Sequence, residues 1–418
     1  MSGHGIVILG AGHGGSQLAA SLRQEGFDGP VTLVSDETDI PYHKPPLSKA
    51  FLKTPDMAPQ LLRAESTYVD NAVTLRFGAR ATALDLRARR LEFAQGAPLP
   101  FDHLVLATGA RARRLTVPGH DLAGVFTLRT VGDARALRAA IPTAQAVAVI
   151  GGGFVGLEAA ASLAGLGKQV TVIEAADRIL GRVLAPPMSA YMAELHKSLG
   201  VKLLTGTGVA RLEGANGHVI AVLTTDGAQI AADMVIVGIG ANPDIALAEQ
   251  AGIACDNGIA VDGTLRSSVA EVLAIGDCAS YEHWQTGSRL RLESVQNATD
   301  QARHAARVLT NKPETAGYRE VPWFWSDQGP AKLQMVGLAH GATRQVISGA
   351  AEDGAFSIYH LRDDELLAID SINRPADHML GRRMLASGFH PGAALIAEGP
   401  AALKAAFAEF GKAVPSAR

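Results

Sequence analysis

A chain of 418 residues is too long for one hydrophobic core and implies two or three domains. Its 47% hydrophobic and 19% charged residues, with a net charge of −3, describe a globular chain without polybasic or polyacidic runs, which argues against nucleic acid or an anionic membrane as main partner. Cys255 and Cys278 are the only cysteines, and no CxxC, HExxH or EF-hand spacing occurs; no disulfide framework and no metal site are expected, and a reducing compartment, the cytoplasm, fits.

The start, "MSGHGIVILGAG", lacks a basic n-region and runs straight into glycines, so it reads as a first strand and not a signal peptide. A strand is expected over 5–9, a glycine turn, a helix over about 14–25, and a strand over 31–34 closed by Asp36. In "GAGHGG", Gly10, Gly12 and Gly15 stand in GxGxxG order, with His13 and Gly14 between them. The first glycine makes the turn, the second lets a pyrophosphate approach the backbone, and the third lets helix pack on strand. Phosphate then sits at a helix N-terminus, where free N–H groups favour negative charge. A carboxylate at Asp36 suits a ribose diol.

Further along, "AQGAPLP" (94–100) marks a chain reversal, and "HLVLATGA" (103–110) is a buried strand ending in Ala107, Thr108 and Gly109. The opening order of signals then returns: a strand over 146–150, the loop "GGGFVG", a helix over about 155–165, and a strand over 169–173 ending at Glu174. Gly151, Gly153 and Gly156 repeat the pattern, with Gly152, Phe154 and Val155 between them. Each copy is a βαβ unit, so two parallel sheets with right-handed crossovers are expected. The apolar run 144–167 mimics a membrane span, but Gln145, Glu158, Ser162 and six glycines speak for strand, turn and helix. Glu174 repels a 2′-phosphate, and "EAADR" sets Arg178 too far on to reverse this, so the second site should prefer NADH to NADPH. Two dinucleotide sites in one chain suit a resident electron carrier and a visiting one.

"DMVIVGIGANP" (233–243) and "EVLAIGDCA" (271–279) are further strands, with a reversal at 256–263 between them. Asp277 follows Gly276 at a strand end, where it either meets a cofactor hydroxyl or caps a helix. "NATDQARHAARVL" (297–309) has helical periodicity with Arg303 and Arg307 on one side. After "NKPETAGY" (311–318) aromatics and alternating runs suggest antiparallel strands, then a short helix and a frayed tail. The fold class is therefore α/β: two Rossmann-like dinucleotide-binding domains and a C-terminal α+β domain.

The chain resembles the FAD-dependent ferredoxin reductases of the putidaredoxin reductase and biphenyl dioxygenase type, and distantly apoptosis-inducing factor. "PYHKPPLSKAFL" (41–52), "LVLATGA" (104–110), "GGGFVGLEAA" (151–160), "RVLAPPMSAYM" (182–192), "AIGDCA" (274–279), "ESVQNATDQAR" (293–303) and "PWFWSDQ" (322–328) carry the likeness. It implies an FAD domain over 1–115 and 243–318, an NADH domain over 116–242 and a C-terminal domain over 319–418. By the same likeness FAD meets Gly10, Gly12, His13, Gly14, Gly15, Asp36, Lys44, Pro45, Lys49, Ala81, Ala107, Thr108, Gly109, Arg129, Gly276, Asp277, Ser294, Val295 and Trp325. NADH meets the Gly151–Gly156 loop, Glu158, Glu174, Arg182, Gly240 and Glu293.

The likeness also pairs Lys49 with Glu158 beside the flavin, where a positive charge stabilises the reduced ring; spacing alone leaves them two unrelated surface charges. Pro45 and Pro46 stiffen the turn before Lys49. Trp325 is expected to shield the flavin, with Trp323 and Phe324 packing; all three also read as core. Cys278 is expected to be a small core residue. Arg303, Arg307, Lys332, Arg344, Arg382 and Arg383 form either a docking face for a small acidic [2Fe–2S] ferredoxin or an ordinary solvated surface. Lys44 stands where relatives carry Leu or Arg. Relatives that use a redox thiol keep it near Tyr42 and His43, and this chain has none there. The implied activity is NADH:ferredoxin reduction serving a cytochrome P450 or ring-hydroxylating oxygenase. An NADH oxidase or peroxidase and a non-enzymatic redox sensor are the alternatives.

Overall fold

The computed structural model describes residues 3–312 and 317–413. The expected frayed tail at 414–418 and part of the composition break at 311–318 lie outside the described residues. The chain forms two compact units, each built from separated stretches. One runs up to His43 and adds Gln60–Arg111 and Asn242–Pro322; the other takes Lys44–Pro59, Ala112–Ala241 and everything from Trp323 on.

The first unit is organised by a five-stranded parallel sheet in the order Val272–Ala274, His103–Leu106, Ile6–Leu9, Val31–Val34, Val73–Arg76. Leu9 lies opposite both Val34 and Leu106. The central strand Ile6–Leu9 and the edge strand Val272–Ala274 are apolar and buried throughout, as strands of a parallel sheet covered on both faces are. Ile6, Val7 and Ile8 are almost fully buried. The helix His13–Gln24 packs along the helix Val295–Leu309.

The second unit repeats this plan: Lys202–Leu204, Gln169–Ile173, Ala146–Ile150, Met234–Val237, Val125–Thr127, again parallel. Ile150 lies opposite Ile173 and Val237. The helix Phe154–Ala164 follows the central strand. The same unit holds a five-stranded antiparallel sheet, Trp323–Gln328, Ala331–Gly337, Glu365–Ile372, Ala355–Arg362, Arg344–Ala350, covered by the helix Pro375–Ser387. Both expected βαβ copies and the antiparallel C-terminal strands are thus present. The tail helix is Pro400–Ala413.

One segment sits where local reading gives no hint. Residues Lys44–Pro59 group with the second unit. They form a 3₁₀ turn, Pro45–Ser48, and a single helical turn, Ala50–Lys53, both packed on the helix Phe154–Ala164. Pro45 stands at the first position of the 3₁₀ turn, where its fixed φ fits and its missing N–H is not needed. Phe51 is buried, and the Arg138 guanidinium lies 4.0 Å over its ring.

Candidate functional site

The loop of the first unit has the physics that a pyrophosphate needs. Gly10 has φ +112°, and an added Cβ would meet Ala107 O at 2.1 Å, so only glycine turns the chain this tightly beside the neighbouring strand end. A Cβ on Gly15 would lie 1.9 Å from Gly10 O, while one on Gly12 would meet nothing within 4 Å. The helix starting at His13 has Gly12 as its cap, with no side-chain cap bond and no acid in its first turn. Its leading N–H groups are left to an anion. His13 is buried, edge-on to the His43 ring at 5.5 Å. Burial and the nearby Arg63 lower the His43 pKa. Thr108 Oγ1 donates to Asp244 O at 2.6 Å, and Gly109 O accepts from Asp244 N at 2.9 Å, which fixes the strand end facing Gly10. Asp36 lies beyond the strand end at Val34; its carboxylate is half exposed, 3.9 Å from Arg111.

Asp277 corrects the expectation. The strand closes at Ala274, and Asp277 sits inside a 3₁₀ turn, Gly276–Cys278, ending no strand and capping no α-helix. Gly276 takes φ +74°, and its amide donates to Gln301 Oε1 at 2.7 Å. Gln301 Nε2 is buried with no hydrogen-bonding neighbour among the described residues, a donor left over beside the turn. Cys278 is fully buried, and burial pushes its thiol pKa up, as suits a core residue. Ser294 accepts from Asn297 N at 3.0 Å and so caps the helix that begins at Val295. Glu293 takes an ion pair from Arg291 at 2.5 Å.

The second loop repeats the first. Gly151 has φ +105° and faces Gly238 O, and a Cβ on Gly156 would lie 2.5 Å from Gly151 O. A Cβ on Gly153 would find its nearest atom, Gly238 O, at 3.9 Å. Gly153 caps the helix without a side-chain bond. Glu174 turns back onto the loop, accepting from Gly152 N at 2.6 Å and from Ala176 N at 2.8 Å. These two bonds hold the Glu174 carboxylate beside the loop, as its expected meeting with a ribose diol requires. The Arg178 guanidinium donates to Gly181 O and Leu184 O at 2.8 and 2.6 Å. The Arg182 guanidinium lies 3.7 Å from where a Cβ of Gly240 would stand, so those two expected NADH residues are neighbours. Phe154 packs on Phe324 at 4.6 Å, and Val155 is exposed.

Lys49 and Glu158, far apart in sequence, form an ion pair of 2.7 Å. Only 6% of the Glu158 side chain is exposed. Glu158 Oε2 also accepts from Ser48 Oγ at 2.5 Å, and Oε1 from Ser326 Oγ at 2.6 Å. Lys49 Nζ donates in addition to Pro45 O at 3.1 Å. Burying a carboxylate this deeply requires such a set of donors.

The sequence pattern of the pyridine nucleotide-disulphide oxidoreductases matches residues 4–302, and that of the reductase C-terminal domain matches 323–407. The chain belongs to the pyridine nucleotide-disulphide oxidoreductase family. Within this family it is similar to rhodocoxin reductase of Rhodococcus erythropolis, 45% identical over 91% of this chain and 89% of the relative. The ferredoxin reductase of the CYP199A2 system from Rhodopseudomonas palustris superposes with a TM-score of 0.89 at 41% identity, covering 91% of this chain and 94% of that one. Putidaredoxin reductase, in its covalent complex with putidaredoxin, gives 0.88 at 38% identity, covering 92% and 93%. The resemblance to FAD-dependent ferredoxin reductases is thereby shown.

The other residues that the family motifs single out are scattered over both units. In the first, Ala81 opens a strand opposite Phe93. In the second, Arg129 donates its amide to Asp133 Oδ2 at 2.9 Å, just before a helix whose cap, Thr130, forms a capping box with Asp133. Lys44 caps the 3₁₀ turn. Trp325 packs against Trp323 at 5.7 Å, and Arg382 lies 4.5 Å over the Trp323 ring. Of the basic residues, Arg303 pairs with Asp300 at 2.6 Å and Arg383 lies 5.0 Å over Phe407, while Lys332 and Arg344 are exposed. Ser48, Ser326 and Gln301 carry contacts that the sequence reading missed. Each stands inside a quoted motif, which was the one available signal.

Among the described residues no helix is long and apolar enough to cross a membrane, and no acid, histidine and cysteine cluster is placed to hold a metal.

Proposed function

We propose that this chain is an FAD-containing NADH:ferredoxin reductase. The observation that carries the reading is the duplicated loop: two uncapped helix N-termini, each with an open second glycine and a third glycine pressed onto its own turn. Both fit a dinucleotide pyrophosphate. The first loop, with Asp36, Ala107, Thr108, Gly109 and Asp277, would hold FAD. The second, with Glu174, Arg182 and Gly240, would hold NADH, and the bonds that fix Glu174 support NADH over NADPH.

FAD, when bound, would supply hydride-accepting and single-electron chemistry. The protein binds, orients and tunes. Loop amides would hold the phosphates and Glu174 the ribose; by the family likeness Lys49, anchored on Glu158, would supply positive charge to the reduced ring. By the same likeness Trp325 would serve as its aromatic shield.

The acceptor is a small acidic [2Fe–2S] ferredoxin serving a cytochrome P450 or a ring-hydroxylating oxygenase. The relatives' names and the absence of a thiol near Tyr42 and His43 support this over an oxidase or peroxidase. Two cysteines outside any disulfide support the cytoplasm as its place.

The test is steady-state NADH oxidation with and without a ferredoxin, alongside oxygen consumption. Turnover should depend on the ferredoxin; full turnover on oxygen alone refutes the acceptor. A preparation that stays colourless after incubation with FAD refutes the whole reading.

A further inference from the structure

Beyond the Lys49–Glu158 pair the second unit holds a chain of buried polar side chains that continues from Glu158. Ser326 Oγ, which donates to Glu158 Oε1, accepts from Gln328 Nε2 at 3.1 Å. Gln328 Oε1 lies 2.7 Å from His196 Nε2. Ser326, Gln328 and His196 are fully buried. They come from three places: Ser326 and Gln328 from one face of the strand Trp323–Gln328, His196 from the helix Pro186–Ser198, Glu158 from the helix Phe154–Ala164.

The direction of every bond in the chain follows from proton counting. Glu158 as a carboxylate has no proton to give, so the single Ser326 hydroxyl proton points to it. Ser326 Oγ is then an acceptor for its other neighbour and must receive an N–H from Gln328. That orientation turns the Gln328 carbonyl oxygen to His196, which must therefore carry its proton on Nε2. Burial lowers the His196 pKa, so the neutral ring is the stable form. Its other nitrogen, Nδ1, is buried with no hydrogen-bonding neighbour among the described residues. Reversing the chain would need an extra proton on Glu158 and an N–H at Nδ1 with no acceptor, and an unmet buried donor is costly. Bonds aligned head to tail in this way also polarise one another.

We propose that His196, Gln328 and Ser326 act as a one-way hydrogen-bond relay that positions Glu158 as a pure acceptor facing Lys49. None of the three touches a cofactor in this assignment; they are positioning residues. The inference rests on the reading of Lys49 and Glu158 given above.

Two measurements on the holoprotein test it. The first is long-range ¹H–¹⁵N NMR of histidine-labelled protein, with the His196 signal assigned by its loss in His196→Gln. A neutral ring protonated at Nε2 is expected, and a ring protonated at Nδ1 overturns the relay. The second is stopped-flow reduction by NADH. Ser326→Ala, and Gln328→Met one step further out, should lower the limiting rate about tenfold with unchanged half-saturating NADH, and Ser326→Thr should restore it. Gln328→Met keeps the test open if the hole left by Ser326→Ala disturbs folding. If both variants match the parent while Glu158→Gln is slow, the relay is overturned and the role of the pair stands. If Glu158→Gln itself matches the parent, the reading of the pair fails and the relay loses its purpose.

Discussion

The second and third glycines of the first loop make opposite predictions when each is changed to alanine. At Gly15 the new Cβ would lie 1.9 Å from Gly10 O, where ordinary contact begins near 3.4 Å. The obstacle is backbone, so the helix must retreat by over an ångström from the strand that carries the turn. Overpacking of this kind costs about 3 kcal/mol, which lowers the melting temperature by roughly 10 °C in a unit of this size. At Gly12 the backbone is extended, with φ −71° and ψ −166°, and a Cβ meets nothing within 4 Å. Gly12→Ala should stay within about 0.5 kcal/mol of the parent. What it should lose is the flavin, because the Cβ fills the approach to the loop amides. Forfeiting one charge-assisted bond lowers affinity about 10- to 100-fold. Thermal unfolding of the apoprotein, followed by circular dichroism, reads the first quantity; titration of apoprotein with FAD, followed by flavin fluorescence, reads the second. If Gly12→Ala binds FAD like the parent, or melts as low as Gly15→Ala, the assignment of roles within the loop is wrong.

In the second loop, Glu174→Ala should raise the half-saturating NADH concentration about tenfold, through loss of the ribose anchor, and narrow the preference for NADH over NADPH; a change in limiting rate alone would contradict the assignment. Lys49→Met should slow flavin reduction about 10- to 100-fold with little change in NADH half-saturation, and equal loss in both would point to general misfolding. Burial pushes His283 down to about 4, and burial together with Arg382 does the same to His378, against an ordinary value of 6.5. The unfolded chain therefore binds more protons between these values: stability is full above pH 6.5 and falls as the pH drops towards 4, by up to about 3 kcal/mol per histidine. Urea midpoints at pH 7 and pH 5 should show this fall, and His283→Asn should reduce it; a stability that rises towards pH 5 would refute the burial argument.

Local physics made both nucleotide loops readable. A turn that demands positive φ, a helix that needs a glycine to sit close, and apolar strands covered on both faces all leave marks within some thirty residues. The strand over 146–150 is found as expected, and both glycine helices begin one residue earlier than read. Asp277 shows the limit within one segment. In "AIGDCA" Asp277 reads as standing at a strand end, there to meet a cofactor hydroxyl or, failing that, to cap a helix; in the fold the segment is a 3₁₀ turn whose Gly276 amide donates a hydrogen bond to Gln301 on another helix.

The surroundings of Glu158 were out of reach of any local signal. Serine, glutamine and histidine at positions 48, 326, 328 and 196 have the side chains of a solvated surface; the motifs marked the places of Ser48, Ser326 and Gln328 without saying what they touch, and nothing marked His196. Four distant segments converge there, and burial turns ordinary polar residues into obligatory partners: a carboxylate removed from water takes every donor within reach. Spacing therefore marked the two glycine loops, and packing alone decided which hydroxyls and which charge meet the Glu158 carboxylate.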